Sequence, residues 1–381
     1  HVARGVAEHA EVQLAIPKTS RGELADAPFN VARYVHATWE TLQPLTASAD
    51  ICIFPSDIAF VFPQMADVEA YMVVDGYDPL LAEWLALNSN REPQKLSAEW
   101  RDRLVQLVGQ YALGDFFICA SERQRDWWIG LLEANGRLNP ATFRDDPSLR
   151  RLVDVVAYGL PDSAPQHTKP VIKGVWKGIS ETDKVMLWGG GLWPWLDPLT
   201  AIEATKLVYQ RRQDVRLIFP GTRHPNPALG ALPSHNRKAR AMAKEFGLLN
   251  KAVFFGDWVP YADWQNLLLE TDIALTLHFD TLETRLAFRS RVLEYIWAGI
   301  PIVASEGDAT AEIVQKFSLG SVVGYEDAQG VAEAILHLLE TPANSHADHF
   351  QQAVNQLKWQ SVAAPLIAYC RDPWHAADKD G

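Results

Sequence analysis

The feature that most constrains the fold is a sustained alternation between short apolar segments and longer amphipathic segments. Apolar runs of four or five residues are typical of β-strands, and the segments between them show the periodicity of helices. Strands that alternate with helices along a chain build a parallel sheet that is covered by helices on both faces. The sequence therefore predicts an α/β fold.

The alternation forms two sets, separated by the polar, proline-rich segment Pro161–Pro170, which has the composition of an interdomain linker. A chain of 381 residues is long enough for two domains. The predicted strands of the first set are Val12–Ile16, Ile51–Phe54, Tyr71–Val74, Phe116–Cys119 and Val153–Ala157. Those of the second set are Lys184–Trp188, Arg216–Phe219, Ala252–Phe255, Ile273–Leu277, Pro301–Ala304 and Ser321–Val323.

Two Rossmann-like domains in tandem, facing each other across a cleft, are the expected architecture. We predict an acceptor domain over residues 1–165, a donor domain over 166–355, and a helix and tail over 356–381 that cross back to the first domain. The opening residues resemble the middle of a helix that runs into a strand, so an initial strand is expected to be missing. Ligands of open α/β sheets bind beyond the carboxyl ends of the strands, which makes the following loops the segments of interest.

Charge and cysteine content exclude several classes of protein. The net charge of −12 argues against a nucleic-acid-binding surface, and no apolar run approaches the roughly 20 residues that a membrane span requires. The three widely spaced cysteines, with no visible signal peptide, favour free thiols in a reducing, cytoplasmic compartment. Neither the cysteines nor the histidines show metal-ligand spacing, so no metal or other cofactor is expected.

The loop Trp188–Pro198 follows the first predicted strand of the second set and contains three consecutive glycines. Glycine allows a backbone to adopt positive φ angles and to approach a ligand without a Cβ clash. Asp197 and Pro198 are suited to begin a helix, whose free amides could bind a phosphate. Gly190 and Gly191 are therefore predicted ligand-binding residues.

The segment Glu283–Ser305 contains the strongest binding signal. Arg285, Arg289 and Arg291 lie at or before the first turns of a predicted helix, where positive charges oppose the helix dipole. A diphosphate bound between these arginines and the helix terminus would remove that conflict. Glu294 lies three residues beyond Arg291 on the same helix face, and its carboxylate could accept two hydrogen bonds from a ribose diol.

This segment resembles the donor-binding element of the retaining GT-B glycosyltransferases of family 4. The resemblance implies that Glu294 binds the donor ribose, and that Phe288, Arg289 and Ser290 lie where backbone amides meet the diphosphate. Ala298, Gly299 and Pro301 match the turn that follows. The first Glu of the family pattern aligns with Leu286, and we expect Glu283 to substitute for it.

Other segments carry the same resemblance through the second domain. Trp258, Val259 and Pro260 match the segment that packs on the nucleobase, and Pro220–Pro227 occupies the loop after the second strand. The family usually places an Arg and a Lys after the first strand of this domain, where the present chain has glycines and tryptophans. Either Arg223, Arg285, Arg289 and Arg291 neutralise the diphosphate, which we favour, or the donor is not a conventional sugar diphosphate.

In the first domain, the resemblance implies a functional His or Asp beside the transferred sugar, near Asp75 at the end of a predicted strand. Asp75 could hydrogen-bond hydroxyls of the donor or acceptor, or stabilise positive charge on the transferred sugar. We therefore predict that Asp75, Arg289 and Glu283 serve catalysis.

The resemblance implies transfer of a sugar from a nucleotide diphosphate sugar to an acceptor hydroxyl, with retention of configuration and without a metal. Polysaccharide or glycoconjugate synthesis is the expected context, and peripheral membrane contact is compatible with it. Two alternatives stay open at this point. A nucleotide-sugar epimerase would turn over the donor without an acceptor, and a non-catalytic two-lobed binding protein would bind a free sugar and no nucleotide.

Overall fold

The computed structural model describes residues 2–20, 27–55, 58–221 and 233–379. The chain forms two compact units, one of which combines His1–Gly159 with Lys358–Gly381, while the other comprises Leu160–Leu357. Within the described ranges, no helix is both long enough and apolar enough to cross a membrane. The roles predicted for the two domains stay predictions.

The first unit contains a parallel four-stranded sheet of order β3-β4-β5-β6 and a separate parallel pair, β1-β2. Its strands are β1 (Gln13–Pro17), β2 (Asn30–Tyr34), β3 (Ile51–Pro55), β4 (Tyr71–Asp75), β5 (Phe116–Cys119) and β6 (Val153–Val155). The strand β2 was not predicted from the sequence. Its sequence, Asn-Val-Ala-Arg-Tyr, has neither an apolar run nor a regular alternation, and three of its five residues are exposed, so its apolar signal is weak.

The helices of this unit come from both parts of the chain, residues 1–159 and the final segment. They are α1 (Val2–Val6), α2 (Trp39–Thr46), α3 (Ile58–Val61), α4 (Leu80–Asn88), α5 (Pro93–Leu113), α6 (Glu122–Ala134) and α7 (Pro140–Asp145), with a 3-10 helix at Pro63–Asp67. The final segment adds α16 (Trp359–Val362) and α17 (Ala364–Arg371).

The final segment completes the apolar core beneath the four-stranded sheet. Tyr369 stacks on Phe116 of β5, with 4.9 Å between the ring centroids, and Val73 of β4 belongs to the same buried cluster. Beyond the helix, Asp378 forms an ion pair of 2.6 Å with the buried Arg137. These contacts explain why the tail belongs to the first unit.

The second unit contains six parallel strands in the order β12-β11-β10-β7-β8-β9. The strands are β7 (Lys184–Trp188), β8 (Val215–Phe219), β9 (Val253–Phe255), β10 (Ile273–Thr276), β11 (Ile302–Ser305) and β12 (Gly320–Val323). Its helices are α8 (Pro198–Arg211), α9 (Pro233–Glu245), α10 (Tyr261–Leu269), α11 (Leu282–Leu286), α12 (Ser290–Trp297), α13 (Ala309–Phe317), α14 (Ala328–Glu340) and α15 (Ala347–Gln356), with a 3-10 helix at Ala343–His346.

The predicted linker Pro161–Pro170 is bound along the second unit. Nε2 of His167 lies 2.9 Å from the buried Glu270, which also accepts hydrogen bonds of 2.7–2.8 Å from the amides of the three residues that follow the segment, Val171, Ile172 and Lys173. Asn266 accepts one from the amide of Thr168 at 2.7 Å. A proline-rich segment therefore becomes an ordered strap, because carboxylate and amide side chains satisfy its backbone donors.

Both units confirm the predicted fold class, an α/β protein with parallel sheets in two domains. Each predicted strand is present, with bounds that differ by no more than two residues at either end. The agreement follows from the apolar runs, since strands buried between two helix layers carry continuous hydrophobic sequences.

Candidate functional site

The strand order of the second unit reverses between β7 and β10, and such a reversal is where open α/β sheets commonly bind ligands. The loops that follow the two strands pair with each other. The amide of Asp197 donates to the Leu277 carbonyl, and that of Phe279 donates to the Trp195 carbonyl, both at 3.0 Å. The two predicted binding segments therefore share one rim of the sheet.

The glycine loop after β7 approaches helix α12 closely. Gly190 has a φ of +117°, a conformation that side chains rarely adopt, and a Cβ atom at this position would lie 3.1 Å from Cζ of Arg291. The hydroxyl of Tyr295 accepts a hydrogen bond of 2.9 Å from the amide of Gly189. The loop therefore needs glycine at Gly190 both for its backbone angle and for the neighbouring guanidinium.

Arg291 is the cation that faces this loop. Among the residues that the structure describes, its guanidinium has no hydrogen bond and no carboxylate oxygen within 4.0 Å. Burial lowers the pKa of Arg291, because the charged form loses hydration there. The backbone amides of Ser290 and Arg291 belong to the first turn of α12, where no intrahelical acceptor is available to them.

Arg289, in contrast, lies in a buried cluster of carboxylates. Its guanidinium makes two parallel hydrogen bonds of 2.7 Å to the two oxygens of Glu283, and its Nε lies 3.5 Å from Oδ2 of Asp308. Glu283 is 2% exposed and Asp308 is 1% exposed. The positive charge at the helix start, for which the sequence suggested only a ligand, thus has carboxylate partners within the protein.

His278 borders this cluster at the end of β10 and is fully buried. Its Nε2 lies 3.0 Å from the carbonyl oxygen of Glu306, so Nε2 carries the proton. Burial lowers the pKa of His278 to about 4, a shift that the neighbouring Asp308 opposes and Arg289 reinforces. The imidazole is therefore neutral at pH 7.

Glu294 lies one turn beyond Arg291 on α12. Its Oε2 accepts a hydrogen bond of 3.0 Å from Nε1 of Trp264, on the neighbouring helix α10. Burial raises the pKa of Glu294, while the Trp264 hydrogen bond and the charge of Arg291 lower it.

The predicted nucleobase segment connects β9 to α10. Trp258 is 50% exposed, and its ring lies over Gly221, where a Cβ atom would be 3.2 Å from the indole. Val259 is half-buried and Pro260 precedes the first residue of α10. This segment therefore offers an open aromatic face beside the loop that follows β8.

The remaining predicted residues of this unit occupy different environments. Phe288 is buried, whereas Arg285 and Ser290 are exposed, and Gly191 is half-buried in the glycine loop. Arg223 lies outside the described residues, as does most of the loop Pro220–Pro227. The structure thus brings Arg291 to Gly190 and Arg289 to Glu283, and the binding and catalytic roles of these residues stay predictions.

Asp75 lies in the first unit at the carboxyl end of β4. The following loop is fixed by helix α6, since Nε1 of Trp128 donates to the Gly76 carbonyl and Nε2 of Gln124 donates to that of Tyr77. Burial raises the pKa of Asp75 to about 6, although Oδ1 accepts a hydrogen bond from the Tyr77 amide. The carboxyl group therefore changes charge close to neutral pH.

Three residues that sequence reasoning missed shape this site: Asp308, Trp264 and Tyr295. Each acts through a neighbouring element, and none belongs to a recognisable local motif. Asp308 does carry a sequence signal, since it begins helix α13 as an N-cap, and this role concealed its second contact with Arg289. Among the described residues, no group of three or more His, Cys, Asp or Glu side chains could hold a metal ion.

Comparison with known proteins finds a family model that matches part of the chain. Residues 183–341, most of the second unit, match the family model described as glycosyl transferases group 1. A search of curated proteins gives no match.

Solved structures match almost the whole chain at low identity. Sucrose-phosphate synthase from Thermosynechococcus elongatus has a TM-score of 0.65 and 14% identity, covering 97% of this chain and 91% of its own. WaaG, a glycosyltransferase involved in lipopolysaccharide biosynthesis, has a TM-score of 0.63 and 16% identity. The match covers 98% of this chain and 94% of WaaG. HepE from Anabaena in complex with UDP-glucose has a TM-score of 0.66 and 16% identity. The match covers 98% of this chain and 94% of HepE. The family match and the shared fold confirm the predicted resemblance to GT-B glycosyltransferases.

Proposed function

We propose that the protein transfers a sugar from a nucleotide diphosphate sugar to an acceptor hydroxyl, with retention of configuration, in polysaccharide or glycoconjugate synthesis. The observation that carries the proposal is Arg291. Its guanidinium lies against Gly190 at the switch point of the sheet, beside the open first turn of α12. Burying a cation without a carboxylate costs free energy, which an anionic ligand would offset.

A diphosphate matches this surrounding better than a single carboxylate does. The guanidinium can donate to two phosphate oxygens, and the amides of Ser290 and Arg291 can donate to others at the helix start. In the proposed reaction, these donors stabilise the charge that develops on the leaving diphosphate, so that no metal ion is required.

Within this proposal, Arg289 and Glu283 do not themselves bind phosphate. They position the residues immediately before α12, whose first amides would bind the diphosphate. Both oxygens of Glu283 and both terminal nitrogens of Arg289 are already engaged with each other. Their ion pair fixes the residues immediately before α12, and with them the direction of the free amides.

The nucleoside end of the donor would extend from the diphosphate toward α10. An exposed aromatic face at Trp258, with Val259 and Pro260 beside it, suits a stacked base, and Glu294 suits a ribose diol. Two proteins of similar fold agree with a donor of this kind. HepE was solved with UDP-glucose, and trehalose-6-phosphate synthase was studied for glycosyl transfer with retention.

Asp75 is the proposed contact to a hydroxyl of the transferred sugar or the acceptor. Its pKa of about 6 allows it to accept a hydrogen bond as a carboxylate at neutral pH. The three free cysteines support a reaction in the reducing environment of the cytoplasm.

A thermal-shift panel of UDP, ADP, GDP and CDP tests the donor site. At least one nucleoside diphosphate should raise the melting temperature of the wild type, and Arg291→Met should abolish the rise. Arg211→Met is the matched control, because Arg211 is an exposed arginine of the same unit that pairs with Glu333. A panel without any shift, or an unchanged shift in Arg291→Met, would refute the proposal.

The reaction itself is tested with the matching nucleotide sugars and a panel of hydroxyl acceptors. Acceptor-dependent release of the nucleoside diphosphate, with a product anomer like that of the donor by NMR, is the expected result. Conversion of the donor to a different sugar without an acceptor would instead favour an epimerase.

A further inference from the structure

The carboxylate of Glu294 has one hydrogen-bond donor among the residues that the structure describes. That donor is Nε1 of Trp264, at 3.0 Å from Oε2. The contact joins α10 to α12, and both side chains are half-buried. The other oxygen, Oε1, has no hydrogen bond within the same described ranges, yet it is not sealed from solvent.

An indole N–H is well suited to fix a carboxylate. It can only donate, so it favours the ionised form of the acid, and the indole has only two side-chain torsions to restrain. The terminal torsion of a glutamate has no sharp preference of its own, so an unrestrained carboxylate would rotate. With Oε2 held by Trp264, the plane of the carboxylate is set and Oε1 is presented on the accessible side.

We propose that Trp264 is a positioning residue that holds Glu294 for the vicinal diol of a ribose, and so selects ribonucleoside over 2′-deoxyribonucleoside diphosphates. The inference rests on the proposed function, since it takes Glu294 as the ribose contact. A diol donates two hydrogen bonds to one carboxylate only when the carboxylate lies in the correct plane. A rotating carboxylate would bind a single hydroxyl nearly as well, and discrimination would fall.

The test uses Trp264→Phe, which removes the N–H and keeps most of the apolar volume. Trp297→Phe is the matched control, because Trp297 lies on α12 and its N–H donates at 2.7 Å to the Ser163 carbonyl instead of to Glu294. The probes are the nucleoside diphosphate, among UDP, ADP, GDP and CDP, that stabilises the wild type most, and its 2′-deoxy counterpart. Isothermal titration calorimetry gives the Kd of each probe for the wild type, both variants and Glu294→Ala.

In Trp264→Phe, we expect Kd for the ribonucleotide to rise about tenfold, while Kd for the deoxynucleotide changes less than about twofold. Trp297→Phe should keep the wild-type ratio of the two constants. The pH dependence gives a second readout. The Trp264 hydrogen bond lowers the pKa of Glu294, so its loss should move the acid limb of binding to higher pH. Arg291 and Tyr295, the other charged or titratable groups that act on Glu294, are retained in all these variants.

The outcomes separate this inference from the proposed function. If Glu294→Ala weakens ribonucleotide binding but Trp264→Phe keeps the wild-type ratio and pH profile, the positioning role is wrong and the donor site stands. If Glu294→Ala leaves ribonucleotide binding unchanged, Glu294 is not the ribose contact, and the inference fails while the donor site at Arg291 stands. If no nucleoside diphosphate binds the wild type, the proposed function fails and the inference fails with it.

Discussion

Arg289 and Arg291 are separated by one residue at the start of the same helix, yet their environments differ. Arg289 turns toward Glu283 and Asp308 and is enclosed by them, whereas Arg291 turns toward Gly190 and has no carboxylate partner among the described residues. Each helical residue rotates by about 100°, so positions two apart point to nearly opposite sides. Two equal charges at one helix start therefore have different surroundings: one is paired with carboxylates in the fold, and the other is available to the anionic ligand that we propose.

The difference depends on which elements surround each arginine. Glu283 comes from α11 and Asp308 from the start of α13, so the carboxylates converge on one side of α12. The other side of α12 faces the loop after β7. The three consecutive glycines of this loop have no side chains, so they place no carboxylate beside Arg291. Four predictions test this contrast, and they follow in order of decreasing expected effect.

Arg289→Met should reduce the free energy of unfolding by about 3–5 kcal/mol, because two buried carboxylates lose their counter-charge. Urea denaturation followed by circular dichroism measures the loss. The control is Arg212→Met. The ion pair between Arg212 and Asp214 lies near the surface, so its loss should cost less than about 1 kcal/mol. Equal stability of the two variants would contradict the structural role of Arg289.

The stability of the carboxylate cluster around Arg289 should also depend on pH, because His278 borders this cluster. Its pKa in the folded protein is about 4, below the ordinary value of 6.5, so the unfolded chain binds more protons between these pH values. The contribution of His278 to stability is therefore present above pH 6.5 and lost as the pH falls toward 4, by up to about 3 kcal/mol.

Urea denaturation at several pH values tests this prediction against His278→Gln, which should show a shallower acid dependence than the wild type. The exposed His337 provides the control, since His337→Gln should keep the wild-type slope. A wild-type slope in His278→Gln would show that other groups account for the acid response.

At the side of α12 that faces the glycine loop, Arg291→Met should leave the fold intact or stabilise it by about 1 kcal/mol. The substitution removes a half-buried charge that has no carboxylate partner among the described residues. The same urea experiment measures this change, which is opposite in sign to that of Arg289→Met. A loss of 3 kcal/mol or more would mean that both arginines are structural, and would remove the contrast between them.

Trp258→Ala should have the smallest effect. The ring is half-exposed, so its removal should change the free energy of unfolding by less than about 0.5 kcal/mol. Loss of base stacking should weaken nucleoside diphosphate binding by about 1 kcal/mol, or roughly fivefold in Kd. Calorimetry with the diphosphate chosen from the panel measures this change, and an unaltered Kd would place the base elsewhere.

Much of the fold could be read from the sequence because its strands are continuous apolar runs. The bounds Phe116–Cys119 and Lys184–Trp188 agree in full with the prediction. The weakly apolar β2 was missed, because half-exposed strands lack that signal. Within the site, the segment Glu283–Glu294 was recognisable, since arginines at a helix start are unusual without an anionic partner.

By itself, the sequence determined which local segments form strands and helices, where glycines permit a close approach, and which helix start concentrates positive charge. These properties depend on residues that are near one another in the chain. The partners of these residues depend on how the helices pack: Arg289 meets Asp308 across 19 positions, and Trp264 meets Glu294 across 30. The physical reason is that an ion pair or hydrogen bond depends on distance in space, and the packing of α10, α11, α12 and α13 sets that distance.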